Sequence, residues 1–215
     1  PNGWIELAQV AGSVAPRRGV NEPGLTHSSI QVPEIDEVVA RLDHGGIDRH
    51  PGPIELGTGF QYLYVRDAEQ LTTEVEGARH APHGLEPWLS HGAIATPDVD
   101  RLRAAYEALL ERPSKSTLRL RDHPEFDRGT ALQGVDVTVT WVPTENAAVE
   151  LWQYHAPPTG PNPGLMYEDP GTGHLAFETD DLESDLARAS AAGFDLAEPP
   201  FDQDGVHLSR LLDPD

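Results

Sequence analysis

The chain has 215 residues and a formal net charge of −21, from 36 acidic and 15 basic side chains. A charge of this size repels phosphate backbones and anionic lipids, which argues against binding to nucleic acid or to a membrane surface. The sequence contains no cysteine and no run of about 18 apolar residues, so we expect no membrane-spanning helix and only nitrogen and oxygen ligands at any metal site. We predict a cytoplasmic globular protein, with one large domain or two small ones, whose partner is a small molecule.

The first predicted module opens with a strand that starts at a histidine. A stretch around Glu6, Gly-Trp-Ile-Glu-Leu-Ala-Gln, comes before this module and also has the pattern of a strand. Around His27 the sequence reads Thr-His-Ser-Ser-Ile-Gln-Val, which alternates as a strand does. It runs into an acidic helix start at Glu34, and a helix is predicted over residues 35–43, before a Gly-Gly pair.

Two strands complete this module, over residues 60–65 and 71–76. The second strand carries Glu74, a carboxylate in a segment that otherwise has the composition of a sheet. Glu76 is an alternative to Glu74, because it lies two residues later and therefore on the same face. Residues 77–87 are rich in Pro, Gly and His and form a linker to the next module.

The second module repeats this arrangement. His91 starts the strand Ser-His-Gly-Ala-Ile-Ala-Thr, and a helix is predicted over residues 99–110. Two further strands are predicted over residues 135–142 and 147–154, and the later one carries Glu150. Both complete modules therefore read β-α-β-β-β, with a histidine on the first strand and a glutamate on the last. Repetition of a whole unit indicates duplicated modules that each lend an imidazole to a shared site.

A third copy follows a linker over residues 156–173. His174 starts Gly-His-Leu-Ala-Phe-Glu-Thr, and a helix is predicted over residues 182–192. The sequence stops at Leu-Leu-Asp-Pro-Asp, before a last strand, and the strand of Glu6 has no module in front of it. One interpretation is a longer string of modules cut at both ends, which the regular spacing from each glutamate to the next histidine favours. The other is a pairing of the first strand with the last module, as in a circular permutation or a partner-swapped homodimer.

The order and recurrence of these motifs resemble the vicinal oxygen chelate superfamily, which includes glyoxalase I, methylmalonyl-CoA epimerase, extradiol dioxygenases and bleomycin resistance proteins. The segment from Val135 to Asp215 carries the nearest local likeness, through V-E-L-W-Q-Y-H-A-P-P, G-T-G-H-L-A-F-E-T-D-D-L and L-L-D-P-D. Residues 24–77 resemble another such module. The resemblance implies an α+β fold, in which tandem βαβββ modules pair into curved mixed sheets with helices on the outer faces. It divides the chain into residues 1–80, a pair whose opening module is incomplete, and 86–215, a pair that lacks its last strand.

The resemblance also implies a divalent metal ion on the concave face of a module pair, and imidazole with carboxylate suits Zn, Ni, Fe or Mn. In the C-terminal pair the ligands would be His91, Glu150 and His174. In the N-terminal pair the matching set would be His27, Glu74 and Glu6. An alternative pairing joins the two complete modules and gives His27, Glu74, His91 and Glu150.

Three functions fit this resemblance. With two carboxylates at the ion, one of them can take a proton next to a carbonyl group in a glyoxalase- or epimerase-type reaction, and Glu150 is the candidate base. With two histidines and one glutamate, an iron site would suit extradiol ring cleavage. A metal-free protein that sequesters a ligand or an antibiotic in the same cleft is the third possibility.

Overall fold

The computed structural model describes residues 2–7, 18–162, 164, 169, 171 and 173–215. The first module contains β1 (Gly24–Val32), α1 (Ile35–Gly45), β2 (Asp48–Arg49), β3 (Ile54–Glu55), β4 (Phe60–Arg66) and β5 (Thr72–Ala78). The second contains β6 (Trp88–Ala95), α2 (Val99–Leu110), β7 (Thr117–Arg121), α3 (Pro124–Thr130), β8 (Asp136–Pro143) and β9 (Ala148–Ala156). The remainder forms α4 (Leu182–Ala191), β10 (Asp195–Gln203) and β11 (Val206–Leu212).

The two modules share one mixed nine-stranded sheet, in the order β2-β4-β5-β1-β6-β9-β8-β7 with β3 paired to β4. Within the first module β1 runs parallel to β5, and within the second β6 runs parallel to β9. The two leading strands, β1 and β6, pair antiparallel in the middle and join the modules. The sheet therefore continues across the boundary between the predicted ranges 1–80 and 86–215.

Helices α1 and α2 cover one face of this sheet. Side chains of α1 pack against Leu63 and Val75, and Leu102 and Tyr106 of α2 pack against Leu151. Successive side chains of a strand point to opposite faces. The residues on either side of Val75 and Leu151 therefore face away from the helices, and this alternation turns three glutamates, Glu74, Glu76 and Glu150, toward the other face.

The other face has an apolar core of its own, which includes Val137, Trp152 and Tyr154. Strand β3 and helix α3 lie over it. Ile54 of β3 is buried, and a Cβ atom at Gly129 of α3 would come within 2.4 Å of its Cδ1. A larger residue at position 129 would therefore have to displace the Ile54 side chain.

The third unit packs against the second through helices. Phe194, just after α4, meets Tyr106 of α2 edge to face, with ring centroids 5.3 Å apart, and Leu175 joins the same core. Residues 173–179 and 2–7 form no strand, which corrects the strands predicted around His174 and Glu6. Side chains, rather than a backbone ladder, hold these segments: Leu175 packs on the helix side, and the side-chain amide of Asn2 bonds the backbone of Leu89 at 2.6 and 3.0 Å.

The predicted α+β class and its curved mixed sheet are confirmed. Helix α2 has the predicted bounds, and the predicted range of α4 is one residue longer than the observed helix. None of the helices in the described ranges is long and apolar enough to cross a membrane.

Candidate metal centre

Four polar residues meet at the centre of the face away from the helices, and each comes from a different strand. His27 on β1 and Glu74 on β5 belong to the first module, while His91 on β6 and Glu150 on β9 belong to the second. We call these residues the four-residue cluster. Because β5, β1, β6 and β9 are neighbours in the sheet, one potential ligand atom from each side chain lies within 4.8 Å of the others.

The cluster is compact and closed to solvent. Nε2 of His91 lies 3.0 Å from Oε2 of Glu150 and 3.1 Å from Oε2 of Glu74. Nε2 of His27 lies 3.8 and 4.0 Å from the same two oxygens. The four side chains are 2–4% exposed. Two carboxylates buried this deeply need positive charge nearby.

The two histidines respond differently to this environment. Burial lowers the pKa of His27 to about 4, against the opposing charge of Glu74. Burial also disfavours a charge on His91, but Glu150 and Glu74 outweigh it and raise the pKa of His91 well above its usual range. Without a metal ion, His91 is therefore the cation that balances the carboxylates. An incoming divalent ion would take over this role and displace the proton.

Each histidine is oriented by the hydroxyl group of the residue before it. Oγ1 of Thr26 lies 2.9 Å from Nδ1 of His27, and Oγ of Ser90 lies 3.2 Å from Nδ1 of His91. Nε2 of both histidines is buried, and neither makes a hydrogen bond of suitable geometry within the described residues. Two inward Nε2 atoms and two carboxylates form a nitrogen–oxygen donor set of the kind that holds Zn, Ni, Fe or Mn. The residues present therefore fit a divalent ion.

A tryptophan fixes one of the carboxylates. The indole Nε1 of Trp152 donates a hydrogen bond to Oε2 of Glu150 at 2.6 Å. The indole is itself held between Phe126 and Tyr154, with ring centroids 5.8 Å apart on each side and nearly parallel planes. Such outer contacts set the orientation of metal-ligating groups.

The prediction for the C-terminal pair requires His174 to lie beside His91 and Glu150. The structure does not bring these three residues together. Leu175, its neighbour, packs on Gly92 from the helix side of the sheet, with Cδ2 2.4 Å from the place of a Cβ atom on Gly92. His174 instead lies beside Glu6, with 3.7 Å between Nε2 and Oε2 and both side chains well exposed. The observed grouping is the alternative one, of the two complete modules, because β1 pairs directly with β6.

Three further residues extend the polar row, and sequence reasoning gave only Glu76 among them. Gln31 donates from Nε2 to Oε2 of Glu76 at 2.6 Å and accepts from Nε1 of Trp88 at 2.8 Å. Burial, followed by the charge of Glu74, raises the pKa of Glu76 to about 7. Strand alternation from His27 points to Gln31, four residues later on the same face. Nothing in the sequence identifies Trp88 as its partner.

Comparisons with known proteins agree with this architecture. A family model described as the Glyoxalase/Bleomycin resistance protein/Dioxygenase superfamily matches residues 90–208. No curated protein matches the chain. Among solved structures, glyoxalase I from Zea mays aligns with a TM-score of 0.58 and 18% identity, over 89% of this chain and 64% of that one. Methylmalonyl-CoA epimerase from Mycobacterium tuberculosis aligns with a TM-score of 0.40 and 12% identity, over 60% of this chain and 86% of that one. The chain thus spans just under two thirds of the maize enzyme.

Proposed function

The chain belongs to the glyoxalase/bleomycin resistance protein/dioxygenase superfamily, and from this premise we propose that it is a divalent-metal-dependent enzyme that moves a proton at a carbon next to a carbonyl group of a small molecule. The observation that carries the proposal is the four-residue cluster, with two imidazoles and two carboxylates in one buried group. His27, Glu74, His91 and Glu150 would hold the ion. When bound, the ion supplies a Lewis acid that polarises the carbonyl oxygen.

Within this scheme we assign the base to Glu150. A buried carboxylate beside the reacting carbon can take a proton and return it. The Trp152 indole holds Oε2 of Glu150 in one orientation, so the base would not need to be positioned anew at each turnover.

The composition of the cluster weighs against the other two candidate functions. A ring-cleaving iron site needs two histidines and one carboxylate with open positions, and here a second carboxylate stands in the same group. A metal-free binding protein has no need for two carboxylates buried with two imidazoles, with Nε2 of His27 left without a hydrogen bond in the described residues. Proton transfer uses both carboxylates.

Metal content tests the cluster directly. We expect about one Zn, Ni, Fe or Mn ion per chain by mass spectrometry of the purified protein, as one complete set of ligands predicts. His91→Ala should lose most of this metal, whereas the control His174→Ala should keep it. Unchanged metal in His91→Ala would refute the assignment, and tightly held iron with oxygen uptake would favour ring cleavage instead.

Solvent exchange tests the base. In D2O, the metal-loaded protein should exchange the hydrogen on the carbon next to a carbonyl group, which is C2 of a 2-hydroxy acid and C3 of a 2-oxo acid. Proton NMR measures this exchange. Glu150→Gln should slow this exchange by a factor of about 100 or more when it is compared with the wild type at equal metal occupancy, which excess metal ion restores. The matched control is Glu145→Gln, because Glu145 is 88% exposed. Exchange that persists in Glu150→Gln would move the base elsewhere.

A further inference from the structure

A cavity of about 300 Å³ lies at one end of the sheet face that carries the four-residue cluster. Its walls are mainly apolar and come from β4, β5, the start of β6 and the linker between the modules: Phe60, Ala78, Ala81, Pro82, Leu85 and Trp88. Leu85 is 47% exposed, so its apolar side chain is accessible from the opening of the cavity.

The register of the strands connects this cavity to the cluster. Ser29 on β1 is level with Glu74 and with His91, so these residues form one row across the sheet. Gln31 is level with Glu76 and with Trp88, which form the next row. Two residues along a strand span about 7 Å. Because Gln31 and Trp88 also line the cavity, its wall begins about one row from the cluster.

The polar groups at the wall are already paired. Gln31 uses its amide nitrogen on Glu76 and its amide oxygen on the Trp88 indole. Arg79 at the rim pairs with Glu55, and His80 stands exposed at the opening. Beyond the rim, the apolar wall offers no partner to a charged group that gives up its water. An uncharged apolar group would pay no such desolvation cost and would cover Leu85.

We propose that this cavity binds an uncharged apolar substituent of the substrate, an aryl or branched alkyl group, while the oxygens of the substrate reach the four-residue cluster. The substrate is then a small molecule that carries such a substituent beside its oxygen-bearing carbons, and simple 2-hydroxy acids serve as probes of this class. This inference rests on the proposed function. The volume is at the lower limit of ligand pockets and suits a phenyl ring.

The buried hydroxyl group of Ser29 supports the same orientation of the substrate. Oγ of Ser29 is buried without a hydrogen-bond partner in the described part of the chain. It lies between the row partners Glu74 and His91 and on the side of β1 that leads to Gln31. A substrate oxygen at the cluster would give this hydroxyl its missing partner and would point the substituent toward the cavity.

Calorimetric binding of mandelate and lactate to the metal-loaded protein tests the proposal, since the two acids differ only in a phenyl and a methyl group. We expect mandelate to bind about tenfold tighter or more, from burial of the ring. Leu85→Asn, which adds no charge near the bound anions, should remove most of this preference, because mandelate affinity should fall more than lactate affinity. The control Leu118→Asn, at an exposed position on β7, should keep the preference. Equal affinities of the wild type for the two acids, or an unchanged preference in Leu85→Asn, would overturn the proposal.

A second measurement separates this inference from the proposed function. In the protein freed of metal with chelator, benzyl alcohol at millimolar concentration should shift the indole NMR signal of Trp88, and Leu85→Asp should abolish the shift. Metal binding without a preference for mandelate would contradict the cavity proposal but not the proposed function. A shift of the Trp88 signal by benzyl alcohol in a protein that never binds metal would support the apolar cavity and contradict the proposed function. Absence of any shift of Trp88 counts against the cavity.

Discussion

Glu76 shows how one buried carboxylate ties the stability of this protein to pH. Its pKa is raised from 4.5 to about 7, first by burial and then by the charge of Glu74. Between pH 4.5 and about 7, Glu76 therefore keeps its proton in the folded state, whereas it has already lost that proton in the unfolded chain. Stability from this group is present below about pH 4.5, declines as the pH rises toward 7, and is lost above it.

Glu76→Gln should remove this pH dependence, because a glutamine amide is neutral throughout. As the pH rises from 4.5 to 8, the free energy of unfolding of the metal-free variant should increase by up to about 3 kcal/mol relative to that of the metal-free wild type. This value follows from the rise of the Glu76 pKa from 4.5 to about 7. Urea denaturation at both pH values measures it. An equal effect of the substitution at both pH values would contradict the raised pKa.

Trp152 is expected to act on metal affinity through Glu150 alone. Trp152→Phe removes the indole N–H while keeping an aromatic ring between Phe126 and Tyr154. Metal affinity should fall by a factor of about 10–100, the usual effect of losing an outer contact to a ligand. Competition with a chromogenic chelator measures it. Trp4→Phe is the control, since Trp4 is 83% exposed, and the same loss in both variants would rule out a specific role.

The helices differ in how their first turns are capped. The Asp98 side chain accepts a hydrogen bond from the backbone nitrogen of Arg101 at 3.1 Å, which caps α2. Glu34 stands at the same place before α1 and makes no such bond. Asp98→Ala should cost about 1 kcal/mol of unfolding free energy. Glu34→Ala should cost less than about half of that in the same denaturation assay, and equal losses would show that capping is not the cause.

The third unit packs on the sheet through a close contact between Gly92 and Leu175. A Cβ atom at Gly92 would lie 2.4 Å from Cδ2 of Leu175. Gly92→Ala should therefore destabilise the protein by about 1–3 kcal/mol. In the double variant Gly92→Ala with Leu175→Ala, the total loss should be smaller than the sum of the single losses, as thermal unfolding of the four proteins would measure. Strict additivity would show that Leu175 does not pack there.

Over the whole molecule, the net charge of −21 opposes the compact state. Raising NaCl from about 0.02 to about 0.3 M at pH 7.5 screens this repulsion. It should stabilise the metal-free protein by about 1 kcal/mol or more, which raises the melting temperature by about 2–4 °C. Near the isoelectric point of about 4.6 the same salt should have little effect. A melting temperature that stays constant at pH 7.5 would mean that ion pairs already neutralise the repulsion.

The sequence by itself determined the repeated module, the helix of residues 99–110 and the residue types of the candidate site. These follow from local patterns: alternation marks a strand, a 3.6-residue period marks a helix, and His27 recurs in phase as His91. Only the tertiary structure decided which modules meet. The sequence gives equal local reasons to pair His91 with His174 or with His27, and the choice depends on β1 pairing with β6 across the linker. The cavity likewise exists only because Gln31 and Phe60, which are distant in sequence, meet the linker and Trp88, and no local pattern encodes these contacts.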